Sequence, residues 1–380
     1  MLLYLSIILF YKERTMNNDK KRIILTTGGT GGHIFPAITT SNLLKETGYS
    51  VMIVGDKQLE KYTDSIECEY KIVETGKTKS IKTVISLIKG FFQNVTIIKK
   101  FKPDLVIGFG SYATFSTLLA SKFLKIPFFL HESNSTIGKV NKWMSNFANC
   151  IMTNFHELYG INIKNTNKIK IVGMPIRESI AKLANEEYKY PDFSKNEKFN
   201  IFITCGSGGA TFFGTSLIEA IKLLDNNIKK SIIIHHQVRL NDLDNVRKFY
   251  KNENIEAEVK TFFTNMDEQF RDANLVISRS GTGTISELMT VGIPTIFIPS
   301  PNVANNHQYK NTELLAKSDA CILQEENDFN PETFAKLLTD LILNKENKLN
   351  VLKENTQKFS NINSNKNIVN CINEFFINKK

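Results

Sequence analysis

Cysteine is scarce in this 380-residue chain and never clustered: Cys68, Cys150, Cys205, Cys321 and Cys371 stand alone, with no C-x-x-C spacing. That pattern excludes a disulfide scaffold and a zinc-thiolate centre, and it reads as reduced thiols in a cytosolic setting. Acidic residues are in deficit, 38 against 48 Lys and Arg, which leaves a net charge of +10 and a pI near 9.1. Anionic partners follow from this: phosphates, an acidic lipid surface or nucleic acid. A general richness in Lys, Asn and Ile is the competing cause. Long hydrophobic runs are also missing. Met1 to Tyr11 is apolar, but it falls well short of the roughly 20 residues a bilayer span needs. It has neither a basic n-region nor a small-residue cleavage site, so it is a poor signal peptide. Met16, followed by Asn17-Asn18-Asp19-Lys20-Lys21, is read as the true start, with residues 1–20 an N-terminal extension.

What is present in abundance is glycine at one place. Thr26-Thr27-Gly28-Gly29-Thr30-Gly31-Gly32-His33-Ile34-Phe35-Pro36 is preceded by the apolar run Arg22–Leu25 and followed by a helical pattern through Ala37, Leu43 and Leu44. A buried strand feeds a glycine loop that opens a helix. Backbone N–H groups and the positive end of the helix dipole suit an anion such as a pyrophosphate. No Lys-Ser/Thr follows, so the loop is not a Walker A motif, and the spacing is not G-x-G-x-x-G. His33 places an imidazole at its rim. The alternative is a tight strand–helix turn with a capping histidine.

The remaining chain alternates strands and helices. Strands are expected at Val51–Asp56, Tyr70–Val73, Pro103–Ile107, Phe128–Leu130 and Cys150–Thr153. Lys77–Lys102 reads as a helix whose apolar set is Ile81, Val84, Ile85, Ile88, Phe91, Phe92, Val95 and Ile98; it carries seven lysines and no acid. Gly173, Pro175, Pro191 and the polar run Glu186–Lys198 interrupt the rhythm, so residues 173–198 are read as a linker. The pattern restarts with Phe199–Thr204, the glycine turn Cys205-Gly206-Ser207-Gly208-Gly209-Ala210 and a helix from Phe213 to Leu224. Strands at Ser231–Ile234, Ala257–Thr261, Leu275–Ser278 and Thr295–Ile298 follow, and the chain ends in a helix over residues 363–380. The fold class is α/β, two Rossmann-like domains with parallel sheets at residues 21–172 and 199–362, facing across a cleft. Length agrees, at roughly 150 residues per domain.

Several motifs lie where strands end. Gly108-Phe109-Gly110-Ser111-Tyr112-Ala113 resembles a dinucleotide fingerprint, with Glu132 about 20 residues on as the ribose acid. The stronger reading is that Tyr112 and His131-Glu132-Ser133-Asn134 line the cleft. Ser278-Arg279-Ser280-Gly281-Thr282-Gly283-Thr284-Ile285-Ser286-Glu287 is again strand, glycine turn and helix; Glu287 suits the helix start or the two hydroxyls of a ribose. Asn305-Asn306-His307-Gln308-Tyr309 is rich in amides, which suit sugar hydroxyls. Taken singly, each motif is more often a cap or a loop than a ligand contact.

Together and in this order, Gly28–His33, Gly108–Tyr112, His131–Asn134, Ser280–Glu287 and Asn306–Asn311 resemble the MurG family, the peptidoglycan N-acetylglucosaminyltransferases. The match runs from about Lys21 to Phe376. The resemblance implies a GT-B fold, an acceptor-binding N-domain, a UDP-GlcNAc-binding C-domain and a C-terminal helix crossing back to the first. It implies an inverting reaction without metal or cofactor, converting lipid I to lipid II at the inner face of the cell membrane, the protein being peripheral. Donor contacts are expected from Thr30, Gly31, Gly32, Asn134, Arg177, Ser207, Glu287 and Gln308. Acceptor contacts are expected from Gly29, His33, Tyr112 and Asn134. Departures from the family pattern are Gly208 where a glutamine is usual, Met174 in place of an asparagine, and a missing acid near Asn305.

For direct displacement of UDP by the acceptor hydroxyl, His33 is the best candidate for general base and Glu132 the alternative. Arg177, Ser207 and the 206–210 backbone suit the charge growing on the leaving diphosphate. Two other classes compete: another GT-B enzyme, a diacylglycerol glycosyltransferase or UDP-GlcNAc 2-epimerase, and a non-enzymatic nucleotide or RNA binder. The RNA reading lacks an RNP-like aromatic motif, so no nucleic-acid partner is expected. The lysine-rich stretch 77–102, with Phe91 and Phe92, is the candidate contact with an anionic membrane surface.

Overall fold

A computed structural model describes residues 20–76, 81–184, 186–206, 210–303 and 306–378. The N-terminal extension up to residue 19, Lys77, Lys79, Ser207, Gly208 and Asn305 therefore lie outside the described residues. The chain divides into two compact units: the residues up to Pro175 together with the segment from Asn363, and Ile176–Ile362.

The first unit is built on seven parallel strands in the order β3-β2-β1-β4-β5-β6-β7. They are β1 (Arg22–Thr27), β2 (Ser50–Gly55), β3 (Glu69–Ile72), β4 (Leu105–Gly108), β5 (Phe128–Glu132), β6 (Cys150–Thr153) and β7 (Ile169–Ile171). β1 is an interior strand, third in the sheet, with Ile24 in register with Met52 on one side and Val106 on the other. Strands covered on both faces have no solvent side on which to alternate, which is why β1, β2, β4 and β5 read as continuous apolar runs. Helices α1 (Gly31–Glu46), α2 (Ile81–Phe101), α3 (Phe115–Phe123) and α4 (Lys139–Met144) connect them.

The second unit has six parallel strands in the order β10-β9-β8-β11-β12-β13: β8 (Phe199–Thr204), β9 (Ile232–Gln237), β10 (Glu256–Lys260), β11 (Leu275–Ser278), β12 (Thr295–Phe297) and β13 (Ile322–Leu323). Both sheets reverse strand order beside their first strand, between β1 and β4 and between β8 and β11. Ligand sites of open parallel sheets form at such reversals. Three helices bear on the site: α5 (Glu178–Leu183), α6 (Thr282–Val291) and α7 (His307–Lys317).

Two segments differ from their sequence reading. Much of the stretch read as a linker is packed: Ile176, Ile180 and Leu183 are buried with Leu288 and Met289 in the second unit's core. The helix expected at 213–224 is broken into Thr211–Gly214 and Ser216–Lys222, with Thr215 outside helical geometry. The C-terminal helix α8 (Ser364–Ile377) packs in the first unit, where Ile368, Cys371 and Ile372 join its core. Phe375 meets Phe129 edge-to-face, and Cys371 lies 3.7 Å from Cys150, sulfur to sulfur. All five cysteines are free thiols.

Candidate active site

In the first unit, β1 ends in a turn that only glycine fits. Gly29 has φ +80°, and a Cβ there would lie 2.6 Å from Ser111 Oγ; one on Gly28 would lie 2.6 Å from Ala113 Cβ. Thr30 is the extended residue before α1, and Gly31 and Gly32 occupy the helix's first turn, whose N–H groups have no intrahelical acceptor. His33 follows. Its carbonyl accepts from Thr27 Oγ1 at 2.7 Å, which closes the turn, and its ring lies against Gly110, at 3.2 Å from where a Cβ would stand. Any larger residue at 110 would displace the imidazole.

Beneath it, β5 delivers His131 and Glu132. His131 Nε2 donates to the Gly173 carbonyl at 3.2 Å, a partner that fixes the tautomer. Burial pushes its pKa down to about 4 and the nearby His33 acts in the same direction, so His131 is neutral at pH 7. Glu132, the alternative base of the sequence reading, is buried and fully engaged. It accepts from the backbone N–H of Asn134 (3.2 Å) and Gly138 (2.9 Å), and from the side-chain amides of Asn134 (3.3 Å) and Asn141 (2.9 Å). That geometry holds the loop 132–138 in place. Asn141 also donates to the His131 carbonyl at 3.2 Å. Tyr112, at the start of a short 3-10 turn, donates its hydroxyl to Asp56 at 2.8 Å. Asp56 and Asn141 were not singled out by sequence reasoning. Their only signal was position, Asp56 at a strand end and Asn141 one helical turn after Gly138.

In the second unit, Arg177 and Glu287 meet. Arg177 Nε donates to Glu287 Oε1 at 2.7 Å and Nη2 to Oε2 at 2.8 Å, a two-pronged pair. The sequence assigned them separate tasks; the structure makes them one unit, Arg177 at the N-cap of α5 and Glu287 standing in the second turn of α6. Gln308, in the first turn of α7, accepts the Ser300 N–H at its Oε1 (2.8 Å), and its carbonyl accepts from Ser280 Oγ (3.1 Å). Among the described residues nothing lies within 4 Å of a Cβ position on Gly206, Gly281 or Gly283, and the turn after β11 presents open backbone.

Three further residues of this unit escaped the sequence reading. Gln237 accepts from Thr204 Oγ1 (2.6 Å) and donates to the carbonyls of Gly206 and Thr261 (both 3.3 Å), tying together the ends of β8, β9 and β10. Arg279 donates to the carbonyls of Ile298 (2.9 Å) and Pro299 (3.2 Å) and pairs with Glu326, which fixes the loop ahead of α7. Asp242-Leu243-Asp244 is the chain's one D-x-D spacing. Asp242 is taken by Arg239, at 2.9 and 3.3 Å.

Comparison with known proteins gives the family of the chain. The glycosyltransferase family 28 N-terminal domain matches residues 23–153 and the family's C-terminal domain matches residues 200–369. A Rickettsia bellii protein is 33% identical over 89% of this chain and 94% of its own length. One from the Wolbachia of Brugia malayi is 36% identical over 88% and 94%. Each is named UDP-N-acetylglucosamine–N-acetylmuramyl-(pentapeptide) pyrophosphoryl-undecaprenol N-acetylglucosamine transferase. The crystal structure of Acinetobacter baumannii MurG superposes with a TM-score of 0.75 at 23% identity, over 93% of this chain and 99% of that one. A Neisseria meningitidis UDP-GlcNAc 2-epimerase superposes with a TM-score of 0.63 at 17% identity, over 93% and 100%, which is a likeness of fold alone.

Proposed function

The chain belongs to glycosyltransferase family 28, and from that premise we propose that it transfers N-acetylglucosamine from UDP-GlcNAc to the 4-hydroxyl of N-acetylmuramyl-(pentapeptide) pyrophosphoryl-undecaprenol, inverting the anomeric carbon. The observation that carries this reading is the relatives of that name at 33% and 36% identity along nearly their whole length. The site motifs, placed at both strand-order reversals, support it. In peptidoglycan synthesis the step converts lipid I to lipid II.

The residues divide the chemistry. His33 takes the proton of the attacking hydroxyl as the bond to the anomeric carbon forms. Neutral His131 and the Glu132–Asn141 pair give its surroundings a fixed shape. Glu287 accepts the ribose hydroxyls, held at the right angle by Arg177, and the glycine turns after β8 and β11 give the UDP diphosphate its backbone donors. Thr30, Gly31, Gly32 and Asn134 meet the GlcNAc side of the reaction, Gly29 and Tyr112 the acceptor, and Gln308 the donor sugar.

An exposed face on the first unit supports a membrane location. Val84, Ile85, Ile88 and Phe92 of α2 are each more than half exposed, although a core-packed helix would bury them. Phe91 touches both Phe92 and Phe123 of α3, and Lys122 stands over the ring of exposed Phe147, beside exposed Trp143. Exposed apolar side chains with a lysine among them fit the headgroup region of an anionic bilayer. No described helix is long and apolar enough to cross a membrane. We therefore place the protein peripherally, on the inner face where a polyprenyl substrate is anchored.

The experiment is a turnover assay with UDP-GlcNAc and a soluble lipid I analogue, following UDP release and the glycosylated product. Equal amounts of both are expected, with no reaction when the acceptor is left out. Acceptor-independent formation of an epimeric sugar nucleotide would replace this reading with the epimerase one.

A further inference from the structure

Asp56 stands at the carboxyl end of β2 and is 2% exposed. Three separate loops donate to its carboxylate. The Gly29 N–H lies 3.3 Å from both oxygens, the Gln58 N–H 3.1 Å from Oδ1, and the Tyr112 hydroxyl 2.8 Å from Oδ2. An ionised carboxylate only accepts, so the bond to Tyr112 runs in one direction and the phenol's single proton is committed to Asp56. Burial raises the phenol's pKa, and the bond to Asp56 adds to this, so the proton stays. Whatever else touches the phenol oxygen therefore meets lone pairs. The Gly29 N–H, one of the donors a glycine turn offers to an anion, is occupied by the same carboxylate.

We propose that Asp56 is a positioning and specificity residue for the acceptor: it puts the protein's own negative charge where the turn would hold an anion. The corner formed by Gly29 and Tyr112 then takes a hydrogen-bond donor of the substrate, a sugar hydroxyl or an amide N–H, and turns the diphosphate away. A second anion here would meet Asp56 at short range with two of its donors already spent. The inference rests on the reading of the first unit as the acceptor-binding one.

Steady-state kinetics of Asp56→Asn and Tyr112→Phe test it, with UDP-GlcNAc, the soluble lipid I analogue, and inorganic pyrophosphate as the anionic probe. Asparagine keeps an oxygen for Gly29 and Gln58 but turns an NH₂ group to the phenol, which reverses that bond and releases the Tyr112 proton. In Asp56→Asn the acceptor KM should rise about tenfold while the UDP-GlcNAc KM stays within roughly twofold. Pyrophosphate should compete with the acceptor at about tenfold lower concentration than in the unaltered protein. Tyr112→Phe, which keeps the Asp56 charge, should raise the acceptor KM without any gain in pyrophosphate inhibition. A folded Asp56→Asn with unaltered acceptor KM and unaltered pyrophosphate inhibition overturns the proposal. Should that variant not fold, an unchanged acceptor KM in Tyr112→Phe overturns it alone, and a raised one supports it. A change confined to the UDP-GlcNAc KM would instead overturn the acceptor assignment of this unit.

Discussion

At the strand-order reversal of the first unit, Gly28 and Gly29 are crowded by Ala113, Ser111 and Asp56; at the reversal of the second, no described residue comes within 4 Å of a Cβ position on Gly206, Gly281 or Gly283. Topology is shared, since each sheet turns from its first strand to its fourth at this point. What differs is the purpose of the missing side chains. Glycine in the first unit lets the protein pack against itself, and the polar groups gathered there, Asp56, Glu132 and His131, are buried. Glycine at 281 and 283 in the second leaves the start of α6 uncovered for something to approach, about one turn before Glu287. A strand–glycine–helix signature therefore marks a place in the fold and not a ligand. The ligand is decided by whether the protein fills the turn with its own groups.

The largest expected effect tests the chemical side of this contrast. His33→Ala should lower kcat by about 10²–10⁴ and leave UDP affinity unchanged by titration calorimetry, because the nucleotide belongs to the other unit. Turnover close to that of the unaltered protein would make His33 part of the self-packed turn and nothing more.

Acid stability compares the interiors. Each unit holds a buried neutral histidine: His131, with its pKa pushed down to about 4, and His236, pushed down to about 3, burial being the main cause for both. The unfolded chain binds these protons at the ordinary value near 6.5 and the folded chain resists, so unfolding takes up protons between the two values. Stability is thus whole above pH 6.5, falls as pH drops, and for His131 levels off near pH 4. His131 accounts for up to about 3 kcal/mol of that fall. Urea unfolding of His131→Gln from pH 7 to 4 should show a correspondingly flatter profile, with the His236 part retained. Parallel profiles for the two proteins would mean that His131 is not held neutral.

Glu287→Ala tests the open end. Arg177 already takes one direction at each carboxylate oxygen, and the remaining lone pairs suit two vicinal hydroxyls. Loss of the carboxylate should weaken UDP-GlcNAc and UDP alike by about 1.5–3 kcal/mol. Arg177→Ala should weaken them less, and the double variant should fall short of the sum because the pair acts together. Additive losses would separate the two residues again.

The sheets were legible because a strand covered on both faces is a continuous apolar run, and Cys150–Thr153, Phe199–Thr204 and Leu275–Ser278 form strands over just those residues. β7 and β13 were not, being edge strands of three and two residues with little to bury. The linker reading of 173–198 failed at its start because Ile176, Ile180 and Leu183 lie at helical spacing among polar residues, and their partners, Leu288 and Met289 among them, are distant in the chain. Site residues carried on glycine turns could be read. Those that hold the turns, Asp56, Asn141 and Gln237, could not, because a carboxylate or amide that serves three loops has no local pattern.

An apolar face left exposed on the first unit extends the contrast to the surface. Phe91 is partly buried against the core while Phe92 is exposed, so the informative variant is Ile85→Ser/Ile88→Ser/Phe92→Ser. Binding to anionic vesicles should fall tenfold or more, roughly 1.4 kcal/mol. In the unaltered protein it should weaken with salt as the lysines, each worth about 1 kcal/mol near the surface, are screened. UDP affinity should not change. Undiminished vesicle binding by the folded triple variant would remove this face from the membrane reading.

The smallest effect concerns Gln308, where the open site becomes selective. The Ser300 N–H can only donate, so the partner it finds at 2.8 Å fixes the amide's oxygen towards Ser300 and its NH₂ group the other way. Gln308 therefore meets a ligand as a donor, and an N-acetyl carbonyl or a sugar hydroxyl oxygen can accept from it. A neutral hydrogen bond of this kind contributes about 1 kcal/mol. Gln308→Ala should weaken UDP-GlcNAc by that amount in titration calorimetry and leave UDP, which lacks the sugar, nearly unchanged. The variant also removes the Ser300 bond, so a loosened loop would cost both ligands equally; equal losses would refute the sugar contact and leave Gln308 holding the loop, as Asp56 holds its turn in the other unit.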